Sequence, residues 1–171
     1  FNVCEEVHPT NGHAFKMQTV PGYIDSMTDF YVTDAGLGIT ETTIAGFVGY
    51  DVHGMPEFIR ARKATQYANN IDQWVKLVNE GNNGGYANIW LLCNINTGEI
   101  ARFEQELKHQ ELLESTDGFY YGCNACHIVT LSMLTTAIMI LINKLVHVEH
   151  ALKNYYQRYL GQLMMALLRE S

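Results

Sequence analysis

The run Val32-Thr-Asp-Ala-Gly-Leu-Gly-Ile-Thr-Glu-Thr-Thr-Ile44 constrains this chain more than any other stretch. Apolar and polar residues alternate with a period of two, break at Ala35-Gly36, and resume into the β-branched Thr42, Thr43 and Ile44. Such a pattern specifies a buried hairpin whose turn requires glycine's access to positive φ. A hairpin of this kind, buried and followed by loops, is the expected floor of a site.

Similar signals place the neighbouring elements. Phe1 to Val7 and Ala14 to Val20 read as strands joined by His8-Pro-Thr-Asn-Gly-His13, whose Pro and Asn-Gly are turn chemistry. Asp29 to Asp34 and Leu37 to Val48 are the arms of the hairpin. Pro56 suits the first position of a helix, where its missing N–H costs nothing, and the helix is expected to run to about Ala68. Its apolar face comprises Phe58, Ala61, Ala64, Tyr67 and Ala68, with Arg60 at the border of that face. A second helix begins after the Asn69-Asn70 cap, buries Ile71, Trp74, Val75 and Val78, and stops at Gly81. The Gly81-Asn-Asn-Gly-Gly85 loop leads to Tyr86 to Cys93, apolar on both pleat faces and hence a central strand. Asn94-Ile-Asn-Thr-Gly98 turns it into Glu99 to Glu104, and Leu107 to Leu113 adds another strand. Strands with an inserted helix pair define an α+β fold.

At 171 residues, 47% hydrophobic and 17% charged, the chain holds enough apolar residues for one substantial core. A net charge of −7 disfavours nucleic acid, whose phosphates call for a basic stripe. Of the cysteines, only Cys123 and Cys126 are spaced as a pair, followed by His127. Cys-x-x-Cys-His is a haem-attachment pattern and could supply zinc ligands, but it stands without a second ligand pair, so no metal or cofactor is expected. The chain opens in a strand without Met or signal peptide, which reads as a fragment.

Several motifs in order also resemble a known group: Val20-Pro-Gly-Tyr-Ile, Thr28-Asp-Phe-Tyr, Asp34-Ala-Gly-Leu, Thr40-Glu-Thr-Thr-Ile, Gly54-Met-Pro-Glu-Phe-Ile-Arg-Ala-Arg, Gly81-Asn-Asn-Gly-Gly-Tyr-Ala-Asn-Ile-Trp and Glu99-Ile-Ala-Arg-Phe-Glu. Over about residues 2 to 124 the chain is similar to phospholipase B-like proteins and penicillin acyltransferase-like autoproteolytic hydrolases, both N-terminal-nucleophile enzymes. The resemblance implies a four-layer αββα sandwich, here incomplete, acting on a small acyl amide or ester. In such enzymes the chain cuts itself before a Cys, Ser or Thr, whose α-amino group then serves as base.

Residues 1–124 are thus expected to form a partial hydrolase domain and residues 125–171 an apolar helical tail. Gly118 to Asn143 contains no Asp, Glu, Lys or Arg, and the balance changes from 7 basic and 16 acidic residues before Ala125 to 4 and 2 from there on. Residues 128–148 have the length of a marginal transmembrane helix, with Lys144 at an interface. A buried helix and the product of a one-base slip in the gene are the competing readings.

Phe1 cannot be the nucleophile, and Cys4 and Cys93 fall inside strands as small apolar fillers, so the attacking group is expected upstream of Phe1. Arg60 follows Pro-x-Phe-Ile, where the resemblance implies the Arg near the nucleophile. It could equally hold a helix to a sheet by an ion pair. Thr40-Glu41 resembles the Thr-Asn of the bile-salt hydrolases, with a Glu that accepts rather than donates when ionised and that could pair with Arg60. Thr33 stands where the acyltransferases carry an oxyanion-hole Asn. Asn88 interrupts the most apolar strand and must find buried partners, orienting Arg60 or Glu41 or bridging strands. His8, His13, His53 and His109 are read as surface residues, Trp74 and Trp90 as core. The first functional reading is a fragment of an N-terminal-nucleophile hydrolase or acyltransferase, inactive by itself; the second is a non-catalytic, membrane-anchored binding module.

Overall fold

The computed structural model describes residues 3–125. Its seven strands are β1 (Val3–Val7), β2 (Phe15–Thr19), β3 (Phe30–Thr33), β4 (Leu37–Thr43), β5 (Asn88–Asn94), β6 (Glu99–Gln105) and β7 (Gln110–Ser115). They form one sheet in sequence order, every neighbouring pair antiparallel. Between β4 and β5 the chain leaves the sheet to form α1 (Glu57–Tyr67) and α2 (Ile71–Asn79), which cover one face.

Local chemistry explains each boundary. The β3–β4 turn bends at Gly36, with φ 85°, and Gly36 N donates to Thr33 O at 3.1 Å. Helix α2 is capped by Asn70, whose side chain accepts from Gln73 N at 2.8 Å. Strand β5 is buried on both faces over most of its length, whereas the edge strand β1 is exposed and carries Glu5 and Glu6, charges that discourage further pairing. Strand β7 begins later than its hydropathy suggested, because Glu106 N bonds back to His109 O and closes a turn across residues 107 and 108.

The core lies between the sheet and the helices. Tyr31, Leu37, Ile39, Trp90 and Phe103 project from the strands against Ala61, Ala64, Ala68, Ile71, Trp74 and Val78. Trp74 and Trp90 meet edge to face with centroids 4.9 Å apart. The apolar face expected for α1 is rotated. Arg60, Ala61, Ala64 and Thr65 are buried, while Phe58 and Tyr67 are 41% and 44% exposed. Three alanines let the helix lie close to its neighbours, so the large rings are left at the flanks. His13 is also less superficial than expected: its ring bonds to Asp34 at 2.9 Å and Asn69 at 3.0 Å, tying the β1–β2 loop to two others.

On the opposite face, Ile44, Ala87 and Ile89 form a small cluster beneath the segment after β7. A side chain on Gly122 would stand 2.7 Å from Thr42 Cγ2, and Asn124 Nδ2 donates to Thr43 O at 2.8 Å. Phe30, Val32 and Leu113 remain 48%, 39% and 37% exposed. The α+β class therefore holds, but the expected four-layer αββα sandwich is represented, among the described residues, by one sheet and one helical layer. The tail expected over 125–171, the 128–148 span, Cys126 and His127 lie outside the described residues, except for Ala125. No helix among the described residues is long and apolar enough to cross a membrane.

Candidate functional site

A cleft of about 480 Å³ opens beside the N-terminus of α1, at the end of the β3–β4 hairpin away from its turn. Four carboxyl groups line it, from three separate parts of the chain: Asp25 and Asp29 from the loop before β3, Glu41 from β4, and Glu57 from the first turn of α1. Tyr31, Tyr86, Phe58 and Trp90 supply its aromatic wall.

The loop carrying Asp25 and Asp29 is held by Ser26, whose hydroxyl donates to Gln18 O at 2.9 Å and accepts from Phe30 N at 3.1 Å. Thr19 Oγ1 donates to Asp25 O at 2.7 Å. Asp29 has φ 57°, the only left-handed non-glycine conformation among the described residues, and its carbonyl accepts from Glu41 N at 3.1 Å. Such a conformation persists where its surroundings over-determine it.

Glu41 lies opposite Trp90 in the ladder and shares the helix-covered face with Asn88, which lies opposite Thr43. In the amide orientation its neighbours satisfy, Asn88 Nδ2 donates to Glu41 Oε2 at 3.0 Å and to Ala87 O at 2.9 Å. Tyr86 OH stands 2.6 Å from Thr43 Oγ1 and 3.5 Å from Glu41 Oε1. The Glu41 carboxyl is pushed up to about 8 by burial, then by the charge of Asp29 and a hydrogen bond to it, then by the charge of Glu57. Burial likewise lifts Glu57 to about 7, against the opposing pull of Arg60, and raises Asp25. Burial and the neighbouring acids therefore favour the protonated form of Glu41. When ionised this carboxyl accepts hydrogen bonds, as expected of Glu; in its neutral form it also carries an O–H donor.

Arg60 is completely buried, not at a border. Its Nε donates to Met55 O at 2.9 Å, and its Nη1 donates to Val78 O and to Gln105 Oε1, the latter at 3.1 Å. Gln105 in turn donates to Val78 O at 3.2 Å and to Asn79 Oδ1. The guanidinium thus clamps the start of α1 to the end of α2 and to β6. Its carboxylate neighbour is Glu57 rather than the expected Glu41. Arg60 and Asn88 are nonetheless linked at one remove, because Gln105 is the ladder partner of Asn88.

Thr33 is at the turn end of the hairpin, away from the cleft, where its hydroxyl accepts from Leu37 N at 3.2 Å. Cys93, opposite Gly38, faces the side of the sheet away from the helices, and Cys4 lies exposed on the edge strand. Sequence reasoning overlooked Asp29, Glu57 and Tyr86. An acid following Pro at a helix start was the available signal for Glu57; only the loop geometry reveals Asp29. Among the described residues, no group of three or more His, Cys, Asp or Glu is arranged to hold a metal ion. The arrangement can hold a proton near neutral pH and present it to a polar ligand in the cleft.

The sequence model of the family described as Phospholipase B matches residues 1–141, running past Asn124. The chain is 27% identical to "Phospholipase B-like 1" of Bos taurus over 100 residues, which is 56% of this chain and 18% of that protein. To "Putative phospholipase B-like 3" of Caenorhabditis elegans it is 30% identical over 128 residues, 67% of this chain and 21% of that protein. To "Phospholipase B-like protein G" of Dictyostelium discoideum it is 38% identical over 78 residues, 42% of this chain and 13% of that protein. The chain spans at most about a fifth of the length of these curated relatives.

Proposed function

Given that this chain belongs to the phospholipase B family, we propose that its parent polypeptide is a hydrolase for ester or amide bonds of acyl, lipid-type substrates, and that the carboxyl-lined cleft is one wall of its active site. The nucleophile comes from residues encoded upstream of Phe1, released as a new N-terminus by self-cleavage. In the completed site Glu41, held protonated, donates to the acyl oxygen or to the leaving group. Asn88 fixes the Glu41 carboxyl. Arg60 acts through Gln105 and the α1–α2 seam as a positioning residue, and Thr33 has no part beyond its turn.

What supports this reading is the placement of Glu41, held by Asn88 in an open cleft with its proton affinity raised by burial, since titratable groups with displaced proton affinity in a concave site are candidates for chemistry. The parent would also complete the four-layer sandwich, its second sheet packing on the face where Phe30, Val32 and Leu113 remain partly exposed.

The experiment is a thioester or lysophospholipid turnover assay on the 171-residue chain and on a polypeptide extended upstream. We expect turnover only in the extended form, with a loss of about 100-fold or more in Glu41→Ala. Turnover by the 171-residue chain, abolished in Cys4→Ala, would relocate the nucleophile. Full activity of extended Glu41→Ala would remove the cleft from the mechanism.

A further inference from the structure

The cleft that gathers four carboxyl groups is also walled by Tyr31, Phe58, Tyr86 and Trp90. Trp90 is 1% exposed, and its indole N–H, buried in that wall, has no acceptor. Buried donors are almost always paired, so an orphan in the wall of a cavity calls for a ligand oxygen. Trp74, by contrast, has its acceptor in Thr65 Oγ1 at 3.5 Å. No Lys, Arg or His lines the cleft, and among the described residues none of Asp25, Asp29 and Glu57 has a basic side chain within salt-bridge distance. We propose that the cleft receives an organic ammonium group, carried on the leaving group of the substrate beside an oxygen that accepts from Trp90 Nε1.

The lining selects an organic cation over a metal ion. Aromatic faces attract a weakly hydrated ammonium through the negative charge of the ring, and the Met27 thioether beside them adds a polarisable contact. A hard divalent ion instead demands a shell of oxygens, and among the described residues no three or more acids, His or Cys are arranged to hold one. Phe58 and Tyr86 are each 41% exposed, so ring surface is free at the mouth of the cleft. Asp25 and Asp29 from the loop and Glu57 from α1 are half-buried and supply the counter-charge from two sides. Glu41 is engaged by Asn88 and approached by Tyr86 OH, which leaves it to the acyl end of the substrate. A volume of about 480 Å³ holds a small head group together with the start of its ester. A neutral alkyl group of the same shape would fill that space and leave the carboxyl charges unanswered.

This inference rests on the hydrolase reading only in calling the occupant a leaving group, and binding is measured without turnover. The full 171-residue chain is titrated with choline acetate and with its neutral carbon isostere, in which a tert-butyl group replaces the trimethylammonium head, while proton–nitrogen NMR follows the two indole N–H signals. Choline acetate should bind about tenfold or more tightly than the isostere, and should move the Trp90 signal more than that of Trp74. Glu57→Gln should weaken choline acetate about fivefold and leave the isostere unchanged. Phe58→Leu, at a half-exposed position that spares the fold, should weaken it about threefold. Equal affinity for the two esters, an unmoved Trp90 signal or no binding overturns the proposal, and the same shift with calcium chloride overturns it in favour of a metal. In the extended polypeptide, faster turnover of the choline ester than of the isostere supports the site. Equal turnover of both overturns this inference and leaves the hydrolase standing; turnover of neither, with choline acetate still bound, overturns the hydrolase and leaves the ammonium site.

Discussion

Two polar clusters lie side by side under the same helical layer, and they handle buried charge in opposite ways. Around Arg60, one cation donates to neutral oxygens, those of Met55, Val78 and Gln105, drawn from the loop before α1, from α2 and from β6. Around Glu41, carboxyl groups from a loop, a strand and a helix crowd together and open on a cleft. Strands β5 and β6 put Asn88 opposite Gln105, so a single ladder rung divides the two clusters. A charge enclosed by dipoles makes a joint, because removing it strands its acceptors. Like charges held together by packing make a proton store, because their repulsion is relieved only by a proton or a ligand. The difference separates scaffold from chemistry within one face of one sheet.

The sharpest test of that contrast is Arg60→Met. It should destabilise the fold by about 3 kcal/mol or more, measured by urea unfolding, since three oxygens lose a charged donor inside the core. A neutral result would mean the guanidinium is no joint. Asn88→Ala should cost about 2 kcal/mol in the same measurement, leaving Glu41 Oε2 without its donor. A cost as large as that of Arg60→Met would blur the line between the clusters.

Acidity tests the other side. Glu41 and Glu57 are lifted in the folded state to about 8 and about 7 from an ordinary value of 4.5. The folded chain then binds more protons than the unfolded chain between these limits, so stability from both groups is complete below about 4.5 and is lost as pH rises to about 8. With screening at the half-exposed cleft the loss should be on the order of 1 kcal/mol, read as a falling melting temperature. Glu41→Gln should flatten the upper part of the decline; an unchanged slope would deny the proton store. The smallest effect, about 0.5 kcal/mol, is expected for His13→Ala, whose bonds to Asp34 and Asn69 lie outside both clusters.

Much of the scaffold was legible from periodicity and turn chemistry. Gly36, Pro56, Asn70 and Gly81 mark their boundaries because each has a backbone or capping property that few other residues share. Asn88 announced itself as an amide in an apolar strand and was drawn to Glu41 as one of two expected partners. The rotation of α1 was not legible, since alanines are permissive on any face and only the approach of α2 and the sheet selects which side turns inward. Nor was the partnership of Arg60, because its acceptors are backbone carbonyls, which no side-chain pattern records.

By itself, the sequence determined the order of strands, the helix pair between β4 and β5, their limits, and the resemblance that leads to the family. Tertiary structure alone decided which charges meet. Asp29, Glu41 and Glu57 are ordinary acids when read along the chain. The grip of Glu41 and Glu57 on protons comes from lost water and from neighbouring acids, both of which exist only when a loop, a strand and a helix close on the same cleft.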